Sequence, residues 1–407
     1  MAATLTRKQI SEIARPNGPK YITTINMNTP TVGAGSGGQQ SVIQAVDLTL
    51  PIRGFRLIFK GRIGVATANY TSVNPESILN LINTIQITGT NRRQGGNVTP
   101  FFGDLATLYA IANFHQMKSG YVQVNGVQAY RPGVPMGISS TPSNVNPLVP
   151  LTTAGSPYDF IVQVDIPFAP FGQSGPNVAG GVMESGFIAR QEEWKDSFTF
   201  KFVFPTVLDN AANPLGLSAA TTVTAITAFG SGSGTPSIDI YSLPYSMGST
   251  RNHVVPGVLS RTTQPINVAL LTANGVGVEL LRLQKQMTPR IYIRVGVGTA
   301  FPVFTSLSDT ILTALGLQIG TDRNVRDVLD WFAHRAEQIE HYDLPGIQGV
   351  MSFDFVQSGN NDSSYPGDAV GDGAVPRVVA NVTGTANGQA LIVQEQILQK
   401  AEGPLYS

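Results

Sequence analysis

The chain of 407 residues holds four histidines, at 115, 253, 334 and 341, and no cysteine. Without cysteine there are no disulfides, no thiolate metal sites and no cysteine nucleophile. Two of the histidines lie in "HRAEQIEHYD" (His334 to Asp343). On a helix, His334, Glu337 and His341 fall at i, i+3 and i+7 on one face, where imidazole and carboxylate could hold a divalent metal. The H-E-x-x-H pattern is absent and no other cluster answers this one, so the segment reads as a solvated or interface helix face. "NDSSYPGDAVGDG" supplies the remaining metal candidates, Asp362, Asp368 and Asp372, in a glycine-rich loop. Oxygen-rich loops bind calcium, but this spacing is not that of an EF-hand, and an exposed loop is the ordinary reading. "GAGSGG" (Gly33 to Gly38) matches G-x-G-x-x-G, yet a dinucleotide site needs a helix after it and "QQSVIQAVDLTL" reads as a strand. There is no G-x-S-x-G elbow. Asp165, Glu184, Glu192, Glu193 and Asp354 could act as a carboxylate pair only by meeting in space, and the sequence joins no two of them. The expectation is a chain with no catalytic residues and no cofactor, not an enzyme.

The elements that would position such groups are set by an unusual composition. There are 26 basic and 26 acidic side chains, a net charge of zero, and only 13% of residues are charged. That share is about half the usual one. The 43 glycines and 27 prolines make about a sixth of the chain, above the average of roughly 12%. A protein that coats nucleic acid needs a basic face, because phosphate neutralisation supplies most of the affinity; direct sequence-specific nucleic-acid binding is not expected. Net charge near zero promotes association, which suits a protein that packs against its own copies. The N-terminal "MAATLTRKQISEIARPNG" lacks a signal-peptide core, and no run of 18 apolar residues is present. Synthesis in a cytosol is the expectation.

Period-2 alternation is the main local signal. In "FTFKFVFP", Phe198, Phe200, Phe202 and Phe204 point one way and Thr199, Lys201 and Val203 the other. "DFIVQVDIPF" sets Phe160, Val162, Val164 and Ile166 opposite Gln163 and Asp165. "RIYIRVGVG" aligns Ile291, Ile293, Val295 and Val297, and "MSFDFV" aligns Met351, Phe353 and Phe355. These are half-buried strands. "GFRLIFKGRIGV" and "SIDIYSL" are weaker versions, and the phenylalanine stripe is core, since Thr and Val interleave it where a base-stacking platform would carry Arg. Loops fill 132–157, 172–186 and 358–376. Two stretches have helical spacing. "GDLATLYAIANFH" carries Leu105, Leu108, Ala112 and His115 on one stripe. "NVRDVLDWFAHRAEQIEHY" carries Val325, Val328, Leu329, Phe332, Ala336 and Ile339, with Asn324 as N-cap and Asp327 three residues on. Leu5 to Ala14 could form a short helix ended by Pro16.

The chain also repeats itself. "SILNLINTIQITGTNR" (Ser77 to Arg92) aligns with "TILTALGLQIGTDR" (Thr310 to Arg323). Upstream, Val42 to Gly61 and Glu279 to Gly298 both end in an alternating strand. A helix follows each copy, and then strands resume. Element order more than identity points to a duplicated all-β domain. Short strands with long polar connections suggest a sandwich or jelly roll in each half. The expected layout is an arm at 1–20, a first jelly roll at 21–210, a connector at 211–236 and a second jelly roll at 237–407.

Two tandem jelly rolls, each with an inserted helix, resemble the double jelly-roll major capsid proteins of tailless icosahedral viruses, bacteriophages among them. The likeness rests on "PIRGFRLIFKG" and "TPRIYIRVGVG", on the helices at 104–115 and 325–341, and on the basic N-terminal segment with Arg7, Lys8, Arg15 and Lys20. It spans nearly the whole chain. It implies a structural subunit forming pseudo-hexagonal homotrimers that tile an icosahedral virion shell, made in a host cytoplasm. Partners would be neighbouring trimers, penton and minor capsid proteins, and a viral inner membrane. The four basic residues of the arm would touch that membrane or a neighbouring subunit. Two other readings stand beside it. One is a carbohydrate- or receptor-binding β-sandwich of a virion or other surface, although Tyr130, Tyr158 and Tyr365 are scattered. The other is a β-sandwich glycoside hydrolase with facing carboxylates at about 5–10 Å.

Overall fold

Alternation of apolar and polar residues dictates sheets with one face inward, and sheets dominate the computed structural model. It describes residues 14–16, 18–27, 38–50, 52–65, 77–92, 95–114, 121–124, 127–128, 158–168, 194–204, 223–247, 258–282, 287–298, 304, 306–319, 323–342, 349–354 and 376–399. The first half contributes β1 (Ala14–Pro16), β2 (Lys20–Asn26), β3 (Gln39–Ala45), β4 (Ile52–Val65), β5 (Thr84–Asn91) and β6 (Gly96–Gly103). A helix, Leu105–Phe114, is followed by β7 (Tyr121–Val124), β8 (Val127–Gln128), β9 (Tyr158–Pro167), β10 (Trp194–Val203), β11 (Val223–Thr227) and β12 (Ser237–Met247). The second half contributes β13 (Val258–Leu270), β14 (Gly275–Arg282), β15 (Met287–Val297), β16 (Ser306–Leu307), β17 (Leu312–Ile319) and β18 (Arg323–Asp330). A second helix, Trp331–Tyr342, then precedes β19 (Val350–Asp354), β20 (Pro376–Val382) and β21 (Gly388–Gln399).

The strand order identifies the architecture. In the first half, β2-β12-β4-β9 form one sheet and β3-β10-β5-β6 the other, with β1, β7, β8 and β11 as additions to the first. In the second half, β13-β21-β15-β19 face β14-β20-β17-β18. If the eight principal strands of each half are ranked along the chain, the sheets read 1-8-3-6 and 2-7-4-5 both times, with a helix between ranks five and six. All described pairings are antiparallel. This is a jelly roll, twice. The repeated stretches hold the same rank, β5 and β17, each leading by way of the rank-five strand into its helix.

The expected inward residues fill the cores. Phe198, Phe200 and Phe202 are fully buried, as are Phe160 and Val162 opposite them. Phe55 packs edge-on against Phe200 with ring centres 5.0 Å apart, and Phe198 stacks on Trp194 at 5.7 Å. Each buried aromatic contributes about 1.5–3 kcal/mol of transfer free energy. Gly89 lies under this cluster, where a Cβ would come within 2.6 Å of the Phe198 ring. A second core gathers Ile291, Ile293, Val295, Leu315, Trp331, Met351 and Phe353.

Four expectations need correction. First, 325–341 is not one helix: Arg323–Asp330 is strand β18 and the helix starts at Trp331. Irregularities in the β17–β18 register break the period-2 pattern there, so Val325, Val328 and Leu329 mimic helical spacing. The cap is accordingly Asp330, whose carboxylate accepts the Phe332 N–H at 2.8 Å, and not Asn324. Second, Ser237–Met247 does not open the second barrel. It pairs with β2 and β4 and is the eighth strand of the first. Third, the helix at 105–114 has no single apolar stripe, since Leu105 through Ile111 are all buried. Fourth, part of the arm belongs to the barrel: Arg15 pairs with Ser246 in β1–β12, and Lys20 opens β2. Arg7, Lys8 and the stretch from Leu5 up to Ala14, and the loops at 132–157 and 172–186, lie outside the described residues, as does the 358–376 loop up to Pro376, which opens β20.

Candidate functional site

A chain with two barrels must decide which faces meet, and buried charge marks the answer. On β15, Ile291, Ile293 and Val295 point into the second core, so Arg290, Tyr292 and Arg294 point away from it. A half-buried sheet would leave those three in water, yet all are buried. Tyr292, Leu391, Val393, Val350, Phe304 and Leu307 are continuous with the apolar core of the first barrel. The outward face of β13-β21-β15-β19 is therefore covered by the first barrel, with β6 running beside β13.

The helix Leu105–Phe114 is the other side of this joint. Asp104 caps it, accepting the Thr107 N–H at 3.0 Å and the Thr107 hydroxyl at 2.6 Å. Arg294 reaches across from the second barrel to donate to Asp104 at 2.7 Å and to the Thr107 hydroxyl at 2.5 Å. Its guanidinium also lies over the Phe304 ring, 5.0 Å from the centre. A helix buried on every described side is a core helix, and this one lies against β9 of its own barrel and under Arg294 of the other. Arg290 and Glu395, 3.5 Å apart, form a second buried pair on the same face.

The matching face of the first barrel is different. The outward row of β4 is Arg56, Ile58, Lys60 and Arg62, all half-buried. Arg56 grips Asp165 of β9 with two hydrogen bonds, at 2.7 and 2.9 Å, and Arg62 grips Asp159 at 2.8 and 2.7 Å. Lys60 donates to Asp239 of β12 at 2.5 Å. The Arg62 hydrogen bonds, helped by the Gly230 N–H, hold the Asp159 carboxyl below the usual carboxylate range against the opposing effect of burial. Hydrogen bonds from Lys20 and Thr49 hold Asp47 well below that range too. This face is a cross-strand mesh of ion pairs.

The second helix is fastened to its own barrel by Asp309. That carboxylate accepts from Trp331 Nε1 at 2.9 Å, from Arg335 at 2.5 Å and from the Gly349 N–H at 2.8 Å. Gly349 has φ of +66° and a Cβ there would fall 2.5 Å from the Val295 carbonyl oxygen, so only glycine fits.

The candidates for chemistry do not assemble. His334 is buried, its Nε2 2.7 Å from the Leu315 carbonyl oxygen and its ring edge-on to Phe353. Glu337 and His341 share its helix, but their side chains are not among those described. Among the described residues no group of three His, Cys, Asp or Glu could hold a metal. Asp362, Asp368, Asp372, Glu184, Glu192, Glu193, Tyr130, Tyr365 and His115 lie outside the described residues. Asp165 is engaged by Arg56, and Asp354 stands opposite Arg290 in the β15–β19 register. "GAGSGG" leads from Gly38 straight into β3, a strand and not a helix. Lys20 is ion-paired with Asp47. No described helix is long and apolar enough to cross a membrane. The joint itself was not read from sequence; its one signal was Arg294 and Arg290 alternating with β-branched residues in a strand that proves to be buried on both faces.

No family model and no curated protein matches the sequence. The fold does have relatives. The crystal structure of the STIV MCP superposes with a TM-score of 0.56, covering 93% of this chain and 96% of that one at 12% identity. A chain from the atomic structure of Sulfolobus Turreted Icosahedral Virus gives 0.54, covering 93% and 91% at 13% identity. At such identities the likeness is one of fold: this chain has the double jelly-roll architecture of those major capsid proteins.

Proposed function

We propose that the chain is a major capsid protein that forms pseudo-hexagonal homotrimers and tiles an icosahedral virion shell. One observation carries this reading. Both barrels have the same strand order and the same helix insertion, and they are fused side by side through a buried joint. Three such chains around a threefold axis would set six near-equivalent barrels in a ring, a block that tiles a surface. Closed symmetric rings are the usual product of identical copies. The likeness of fold to the two solved chains spans 93% of this chain in both cases, which supports the reading.

The test is the solution mass by light scattering. A dilution-resistant particle of about three times 43.2 kDa is expected, given that obligate interfaces are large and apolar. A clean monomer at micromolar concentration would count against the proposal. Partners in this reading are neighbouring trimers, penton and minor proteins, and an inner membrane. Residues preceding β1, with Arg7 and Lys8, supply the contact to a membrane or neighbour. Deletion of residues 1–12 should leave trimers intact and block shell formation; lost trimers would refute that role for the arm.

A further inference from the structure

We propose that the outer face of the helix Trp331–Tyr342 is covered by the β2-β12-β4-β9 sheet of a second copy of this chain. The contact repeats between molecules the joint that the two barrels make within one. The inference rests on the trimer reading and names the surfaces that would build it.

The two helices can be compared residue by residue through their caps. Asp104 caps one and Asp330 the other. In that register, Leu105 and Leu108 correspond to Trp331 and His334, and all four are buried. Ala106, Thr107 and Ala110 correspond to Phe332, Ala333 and Ala336. In the first helix those three positions are each 1% exposed. In the second helix all three are exposed, Phe332 by 64%. The first helix has the second barrel against it, with Arg294 on Thr107 and Asp104. Among the described residues, the second helix packs on β17, β18 and β19 of its own barrel. The cap carboxylates differ in the same way: Asp104 is buried beneath Arg294, whereas Asp330 is exposed.

A counterpart of the face that covers the first helix exists elsewhere on the molecule. Arg294 belongs to the rank-three strand of the second barrel, and the rank-three strand of the first is β4. Its outward row carries Arg56, Lys60 and Arg62, each paired with an aspartate of the same sheet, at the place where β15 carries Arg294. Ile58 and, on the neighbouring strand, Ile161 offer apolar surface to Phe332. A large exposed aromatic such as Phe332 is the kind of side chain enriched at interface centres. The helix of one copy and the sheet of the next make a heterologous contact, the kind that closes into a ring.

The absence of cysteine makes the test direct. Chains bearing Phe332→Cys and chains bearing Ile161→Cys are co-expressed and oxidised, and the mass of the unmodified chain is measured alongside. A disulfide-linked dimer that forms only when both variants are present is expected. Phe332→Asp should weaken association at least tenfold while leaving the circular dichroism spectrum unchanged. An unmodified trimer that yields no cross-link and tolerates Phe332→Asp would overturn these surfaces and leave the trimer standing. A monomeric unmodified chain would overturn both.

Discussion

Arg294 shows what a single residue can do in this chain. It is long enough to leave one barrel and end at the helix cap of the other, and its charge is matched there by Asp104 at 2.7 Å. Such a pair, once buried, is costly to break from one side, since the partner charge is stranded away from water. Arg294→Met should therefore destabilise by about 3–5 kcal/mol, read as a lower urea midpoint. Adding Asp104→Asn, which keeps a capping side chain, should recover much of the loss. Additive losses in the double variant would show that the two side chains are not coupled. The identity of both residues was plain in the sequence. Their meeting was not, because they are 190 positions apart and no local pattern links a helix cap to a strand in another barrel.

At the scale of elements, strands were legible wherever one face met water. β9, and β10 from Phe198 onward, alternate because one side of each is core and the other is half-buried. β15 misled in part: its outward row is buried too, so alternation there separates two cores and not core from solvent. β18 misled completely, since bulges in its pairing erased the period that marks a strand. Its helix is positioned from outside, by Asp309 gathering Trp331, Arg335 and Gly349. Removing that acceptor leaves several donors without their partner, and Asp309→Ala should cost about 1–3 kcal/mol. Only two tryptophans are present, so emission from Trp331 in a Trp194→Phe background reports this helix locally. A red shift ahead of global unfolding is the expected result, and an unchanged spectrum would mean that packing alone holds the helix.

At the scale of the molecule, the barrels depend on each other. The second barrel alone would expose Tyr292, Leu391 and Val393, with the buried charges of Arg290, Arg294 and Glu395. Exposed apolar patches of this kind drive aggregation. A chain of residues 250–407 should therefore bind a hydrophobic dye strongly or precipitate. A soluble, dye-silent second barrel would mean that the joint is not needed for stability. The same dependence explains why duplication is useful. A barrel with a complementary helix and sheet face can dock on its twin in the same chain and, as proposed, on the next chain.

The sequence by itself determined the class of the protein. Alternating strands and a repeat at matching places made a duplicated all-β chain of sandwich or jelly-roll type legible, because side-chain period is a local property. Tertiary structure alone decided where the first barrel ends, which strand replaced half of a helix, and which faces are hidden. Ser237–Met247 reads the same whichever barrel it completes, and its place was fixed by pairing with β2 and β4. Burial of a second face likewise depends on what lies across from it, and that is a property of the folded chain.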